Sequence, residues 1–180
     1  MKAYIVRHTS VLWDGNETCY GETDIDVRPT FAEEAEVTLR ALRGLSFDAV
    51  FSSPLQRARK LASYCGHPEA LLDDRLKEMN FGLWEGRPWA EIIRDEPVEE
   101  FFARYIEHPT PEGESLVMQY SRVEDFLREK HREGLGQILV FCHGGVINCA
   151  RALAGTTRLV DAFATLPDFG SVTELDFSKL

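Results

Sequence analysis

Strand-length apolar runs alternating with longer amphipathic ones predict an α/β fold, a three-layer α/β/α sandwich with a mainly parallel central sheet. Three observations carry that expectation. Tyr4-Ile5-Val6, Ala49-Val50-Phe51 and Gln137 to Cys142 have strand length and strand composition. The stretches between them open on capping residues and close on glycines. Each of the three runs also stops at a polar residue, in the way strands end at a ligand-bearing sheet edge.

Taken in order, Tyr4-Ile5-Val6 is the first strand, closing on Arg7-His8. Thr30-Phe31-Ala32-Glu33 reads as a capping box for a helix running to about Arg43 and stopping at Gly44, where a left-handed turn suits glycine. Ala49 to Phe51 is the second strand. Ser53-Pro54 then reads as an N-cap with proline at the first helical position, for a helix ending at Gly66. Ala70-Leu71-Leu72 adds a short strand. Leu116, Tyr120, Val123, Phe126 and Leu127 keep a three-to-four spacing and mark the buried face of a third helix. The continuous apolar run from Gln137 to Cys142 fits a central strand covered on both faces. A fourth helix follows Gly144-Gly145 and ends at Gly155, and Val172 to Phe177 forms the last strand. Residues 1–180 read as a single domain, with a proline-bounded, lid-like excursion at about 88–111 over one end of the sheet. Its Trp89, Phe101, Phe102 and Tyr105, with nearby Trp84, read as core or cover packing.

Composition narrows the class. The chain has 180 residues, 44% hydrophobic and 28% charged, which is ordinary for a globular protein. Twenty basic against thirty acidic side chains leave a net charge of −10, which argues against nucleic acid or an anionic membrane as partner. No apolar run approaches the roughly 20 residues of a membrane span, and the start carries no export pattern. The expected location is the cytoplasm, with Cys19, Cys65, Cys142 and Cys149 as reduced thiols. Cys142 beside His143 lacks zinc-ligand spacing and reads as a buried strand thiol, so no metal or other cofactor is expected. The pattern specifies no oligomeric state.

The chemistry collects where the strands end. Arg7 and His8 close the first, Ser52 and Ser53 the second with Arg57 just beyond, and His143 the third before two glycines. In an open α/β sheet these ends share one edge, where helix N-termini present unpaired N–H groups that suit an anion. Two arginines and two histidines converging there make a phosphate pocket. One opposite unit pair at 4 Å is worth about 4 kcal/mol at an effective dielectric of about 20, so the local field outweighs screened surface acids. A neutral imidazole carries the lone pair that attacks phosphorus, and arginine forks bind the oxygens. The expected partner is a small-molecule phosphate monoester. Its leaving alkoxide needs a proton, for which Glu78 is the first candidate and Glu85 the second; aromatic neighbours and a phosphate dianion disfavour the ionised carboxylate. Arg7 and His8 are adjacent in sequence and should point oppositely, so both reach one phosphate only if the strand twists out at His8.

Arg7-His8-Thr9, Ser53 to Ala58 and Cys142 to Gly145 together resemble the histidine phosphatase (phosphoglycerate mutase-like) superfamily. Leu76 to Gly86, Gly113 to Leu116 and Arg122-Val123 extend the resemblance over nearly the whole chain. It implies His8 as nucleophile, Arg7, Arg57 and His143 as phosphoryl ligands, and Glu78 as proton donor. Cys19 to Asp24 and Asn80 to Glu85 are similar to the α-ribazole phosphatases of cobalamin assembly, which implies α-ribazole 5′-phosphate as substrate. Thr9, Tyr20, Gly21, Glu22, Thr23 and Gly144 are then the expected substrate contacts, with Trp13 beside an aromatic ligand. Thr9-Ser10 stands where the superfamily commonly has Gly-Glu, and Asn16 is the candidate for the asparagine that often follows. A mutase, a sugar-phosphate phosphatase and a non-catalytic phospho-ligand module remain the alternatives.

Overall fold

The computed structural model describes residues 1–13, 17–94 and 97–180; Asn16 lies outside them. Five strands form one sheet: β1 (Lys2–Arg7), β2 (Ala49–Ser52), β3 (Leu71–Leu72), β4 (Gln137–Cys142) and β5 (Val172–Asp176), in the order β3-β2-β4-β1-β5. All neighbours run parallel except β5, which lies antiparallel to β1 at the edge.

Six α-helices accompany the sheet among the described residues. They are α1 (Phe31–Leu42), α2 (Gln56–Tyr64), α3 (Trp89–Ile92), α4 (Val98–Glu107), α5 (Leu116–Arg132) and α6 (Gly144–Leu153). Strand alternation divides the core between two faces. Val6, Leu139 and Phe141 pack with Ala35 of α1 and Leu61 of α2. Ile5, Ile138 and Val140 pack with Val123 and Phe126 of α5 and Ile147 of α6. Three layers result, as the apolar pattern predicts.

Two helix starts differ from the sequence reading. α2 begins at Gln56, so Pro54 is not its first residue. The Ser53 amide still donates to the Phe141 carbonyl (2.8 Å), which carries the chain along the sheet beyond β2. The cap instead comes from a distant loop: Asp24 Oδ1 accepts the Gln56 N–H at 2.7 Å. Thr30 caps α1 without a side-chain bond to the helix amides; its backbone lies outside the extended region that aims a capping hydroxyl at them. Its hydroxyl donates to Glu34 (2.7 Å), and Glu34 rather than Glu33 receives the Ser10 N–H (2.7 Å), tying α1 to the chain just after His8.

The 88–111 excursion carries α3 and α4. Trp84, Phe101 and Cys19 form the centre of its small core, and Tyr105 meets Trp84 edge-on at 4.6 Å.

The segment bearing Glu78 is held by a clamp. Arg122 donates to the carbonyls of Arg75 (2.7 Å), Lys77 (2.7 Å) and Glu78 (3.0 Å), and to both oxygens of Glu114. Glu114 in turn accepts the Asn80 N–H at 2.9 Å. Gly113 is required beside it, because a Cβ there would come within 2.4 Å of the Asn80 carbonyl oxygen. Arg122→Ala leaves the buried Glu114 carboxylate with the Asn80 N–H alone and takes this donor from three carbonyls. It is expected to cost about 2–4 kcal/mol of stability in urea titration. A loss below about 0.5 kcal/mol would contradict the clamp.

Candidate active site

Register places the polar strand ends together. Arg7 pairs with Cys142 across β1 and β4, and Ser52 pairs with Phe141 across β2 and β4. The residues that follow each strand, His8, Ser53 and His143, therefore meet at one edge. The His8 N–H still donates to the Cys142 carbonyl (3.0 Å), but β1 has ended. The strand stops between Arg7 and His8, which resolves the conflict that alternation posed for two adjacent side chains.

His8 is 2% exposed, and its Nδ1 lies 2.6 Å from the carbonyl oxygen of Thr9. A carbonyl only accepts, so Nδ1 carries the hydrogen and Nε2 keeps its lone pair. The His143 ring is 5.2 Å away, centroid to centroid. Burial, reinforced by the Arg57 and Arg7 charges, holds the His8 imidazole well below its ordinary protonation range. Burial and Arg57 lower His143 in the same way.

The arginines are anchored from behind. Arg57, wholly buried, donates to the carbonyls of Thr23 (2.8 Å) and Gly21 (2.6 Å). Arg7 donates to the Pro167 carbonyl, and its guanidinium lies 3.8 Å from the centre of the Phe169 ring. Ser53 Oγ accepts the Leu55 N–H (3.3 Å) and sits 2.8 Å from His143 Nε2. Among the described residues, Arg7 Nε, Arg57 Nε, His143 Nδ1, Thr9 Oγ1 and Gln119 Oε1 are buried without a hydrogen-bond partner. Buried polar atoms are ordinarily paired; the two arginine nitrogens can only donate, so an accepting ligand would match them.

Glu78 occupies the other side. Its Oε1 accepts from Gln119 Nε2 (2.9 Å) and the Met79 N–H (3.0 Å), and its Oε2 accepts the Gly145 N–H (3.0 Å) in the first turn of α6. Gly145 is essential there, since a Cβ would lie 2.3 Å from Glu78 Oε1.

Arg7, His8, Glu78 and Gln119 line one cavity of about 860 Å3. Aromatic rings also line it, among them Trp13, Tyr20, Phe81, Trp89, Phe102 and Phe169. Trp89 and Phe102 also face the cavity, unlike Trp84, Phe101 and Tyr105, so the sequence expectation of pure packing holds for only part of that group.

Several expected contacts lie elsewhere. Arg57 and His143 do not line the cavity, and neither do Gly21, Glu22 and Thr23. Their backbone is shared between Arg57 and Glu85, whose carboxylate accepts the N–H groups of Glu22 (2.9 Å), Thr23 (2.6 Å) and Phe81 (3.2 Å) and the Thr23 hydroxyl. Glu85 is therefore a brace for the loop that holds Arg57, and unlike Glu78 it does not line the cavity. Thr9 and Gly144 are buried behind the cavity wall: Thr9 orients His8 through its carbonyl, and Gly144 packs against Arg7 and Leu166.

The family model for the histidine phosphatase superfamily (branch 1) matches residues 3–179. The chain belongs to the histidine phosphatase superfamily. Phosphoserine phosphatase 1 of Hydrogenobacter thermophilus is 29% identical over 147 residues, 78% of this chain and 69% of that protein. The crystal structure of a phosphoglycerate mutase from Thermus thermophilus superposes with a TM-score of 0.78 at 29% identity, covering 99% of this chain and 94% of that one. The α-ribazole phosphatase from Shigella flexneri shares the fold, with a TM-score of 0.82 at 23% identity over 99% of this chain and 92% of that one.

Within this family member, Gln119 escapes sequence analysis. It sits in the amphipathic pattern of α5 with no local motif, and only the approach of α5 to Glu78 reveals it. Phe169 and Pro167 are likewise invisible, lying in an irregular loop before β5. The two buried imidazoles give a pH prediction. Their native protonation is suppressed, while unfolded histidine protonates near pH 6.5, so the unfolded chain binds more protons below that value. Stability is present above pH 6.5 and falls as pH drops below it, by up to about 1.4 kcal/mol per pH unit for each ring. His143→Asn should flatten this slope between pH 5 and 6.5 in denaturant titrations; an unchanged slope would contradict neutral burial.

Proposed function

We propose that this protein is a phosphomonoesterase that works through a phosphohistidine on His8. The observation that carries the reading is the 2.6 Å contact from His8 Nδ1 to the Thr9 carbonyl, which leaves Nε2 with a lone pair beside buried, unmatched donors. Arg7, Arg57 and His143 bind the phosphoryl oxygens. Ser53 Oγ lies 2.8 Å from His143 Nε2; in this scheme the hydroxyl donates there and Nδ1–H serves the phosphate. In the first step Nε2 attacks phosphorus, the ester P–O bond breaks, and Glu78 gives its proton to the departing oxygen. Water then cleaves the P–N bond, and Glu78 recovers a proton from it. This chain's own residues supply every group in the scheme.

The proposed leaving group is the α-ribazole of α-ribazole 5′-phosphate. Supporting it are the aromatic rings lining the cavity and the similarity of residues 19–24 and 80–85 to α-ribazole phosphatases. A benzimidazole riboside offers a planar face to Trp89 and Phe102. One observation favours a second reading. Arg28 lines the cavity mouth with its Nε on the Val11 carbonyl (2.7 Å), and its remaining donors suit a carboxylate such as that of phosphoserine or phosphoglycerate.

Two experiments test these assignments. Glu78→Gln should reduce turnover of an alkyl phosphate about 10²–10³-fold while leaving nitrophenyl phosphate, whose leaving group scarcely needs a proton, within about tenfold. Equal losses on both would remove Glu78 from the acid role. A substrate panel of α-ribazole 5′-phosphate, phosphoserine, 3-phosphoglycerate and sugar phosphates should rank the first highest by kcat/KM. Phe102→Ala should lower that value about tenfold or more while sparing small alkyl phosphates. Preference for the carboxylates, abolished by Arg28→Ala, would instead establish the second reading.

A further inference from the structure

Gln119 is committed on one side only. Its Nε2 donates to Glu78 Oε1 (2.9 Å), and its Oε1, on a side chain with no exposure, has no partner among the described residues. Glu78 Oε1 accepts the Met79 N–H as well, so the amide nitrogen faces that oxygen and the amide carbonyl oxygen is left free of it. That oxygen and the Glu78 carboxylate both crowd Gly145. A Cβ there would meet Glu78 Oε1 at 2.3 Å and Gln119 Oε1 at 2.9 Å, and both side chains line the cavity that holds His8. Two acceptors thus stand side by side, one able to take a proton and one able only to hold a hydrogen.

We propose that Gln119 Oε1 and Glu78 together hold the water that cleaves the phosphohistidine, which makes Gln119 a determinant of hydrolysis over transfer to other acceptors. The inference rests on the phosphohistidine reading. Oε1 of Glu78 accepts from both Gln119 Nε2 and the Met79 N–H, whereas Oε2 accepts only the Gly145 N–H, so the remaining lone pair that takes the proton is on Oε2. One hydrogen of the water points to Glu78 Oε2 and the other to Gln119 Oε1, which turns a lone pair toward phosphorus. As the water oxygen bonds to phosphorus, the P–Nε2 bond breaks and its electron pair returns to His8. The first proton passes to Glu78, regenerating the acid for the next cycle. The second stays on the product phosphate, still held by Gln119.

Water carries two hydrogens and an alcohol carries one. Glu78 serves either nucleophile, whereas the Gln119 carbonyl serves only water. Loss of the carbonyl should therefore penalise water selectively, by about the tenfold that one hydrogen bond confers.

The test uses nitrophenyl phosphate with increasing ethanol, whose single hydroxyl has one hydrogen to donate, measuring ethyl phosphate formed against inorganic phosphate released. Gln119→Leu and Gln119→Met both remove the acceptor at similar volume, so one survives if the other fails to fold. Either is expected to raise the transfer-to-hydrolysis ratio about five- to tenfold over wild type. The ratio is independent of the amount of active enzyme, and mispositioning of Glu78 affects both nucleophiles and cancels. An unchanged ratio with both rates lowered would overturn the inference and reduce Gln119 to a support for Glu78. Absence of phosphate on His8 in the wild-type enzyme would overturn the underlying reading, and this inference with it.

Discussion

Burying a positive imidazole beside two guanidinium groups is unfavourable, and the site is organised by that constraint. Desolvation and the charges of Arg57 and Arg7 keep His8 neutral, and the Thr9 carbonyl decides which nitrogen carries the single hydrogen. The same low-dielectric setting that suppresses protonation strengthens the attraction of the arginines for an anion. One choice of environment thus produces both a lone pair and a cradle.

The cradle itself is maintained by groups that do not face the ligand. Arg57 would be a costly buried charge without the carbonyls of Gly21 and Thr23, and that loop would be loose without Glu85 across its amides. Glu78 depends similarly on Arg122 and Glu114 for its backbone, and on Gln119 and Gly145 for its carboxylate. Each functional side chain therefore has a partner whose own partners lie in a different element. This is how a site assembled from strand ends and loops holds one geometry.

The sequence made the inner part of this arrangement legible. Parallel strands bring their carboxyl ends to one edge, so Arg7-His8, Ser53 and His143 could be placed together from the positions of three apolar runs alone. Gly44, Gly66 and Gly155 adopt positive φ at helix ends, as their positions after amphipathic stretches predict. What escaped was set by long-range partners. Asp24 caps α2 from 32 positions away, so the local Ser53-Pro54 signal put the helix start too early. Glu85 reads as an acid in the sequence because most of its donors come from residues 22 and 23, beyond any local window. Gln119 sits 41 positions from Glu78, and helical periodicity reports only which way it faces, not what it meets. The aromatic cover showed the same limit. Composition identifies Trp89 and Phe102 as apolar, and only the fold divides them from Trp84 and Phe101.

The central claim is that the Nε2 lone pair of His8 forms a bond to phosphorus. Rapid quenching in base during turnover of a labelled phosphate monoester, followed by peptide mapping, tests it most directly. Acid-labile, base-stable phosphate attached through Nε2 of His8, formed and lost at rates matching turnover, is the predicted result. Full turnover with no phosphate on that nitrogen, or with phosphate on another residue, would contradict the account.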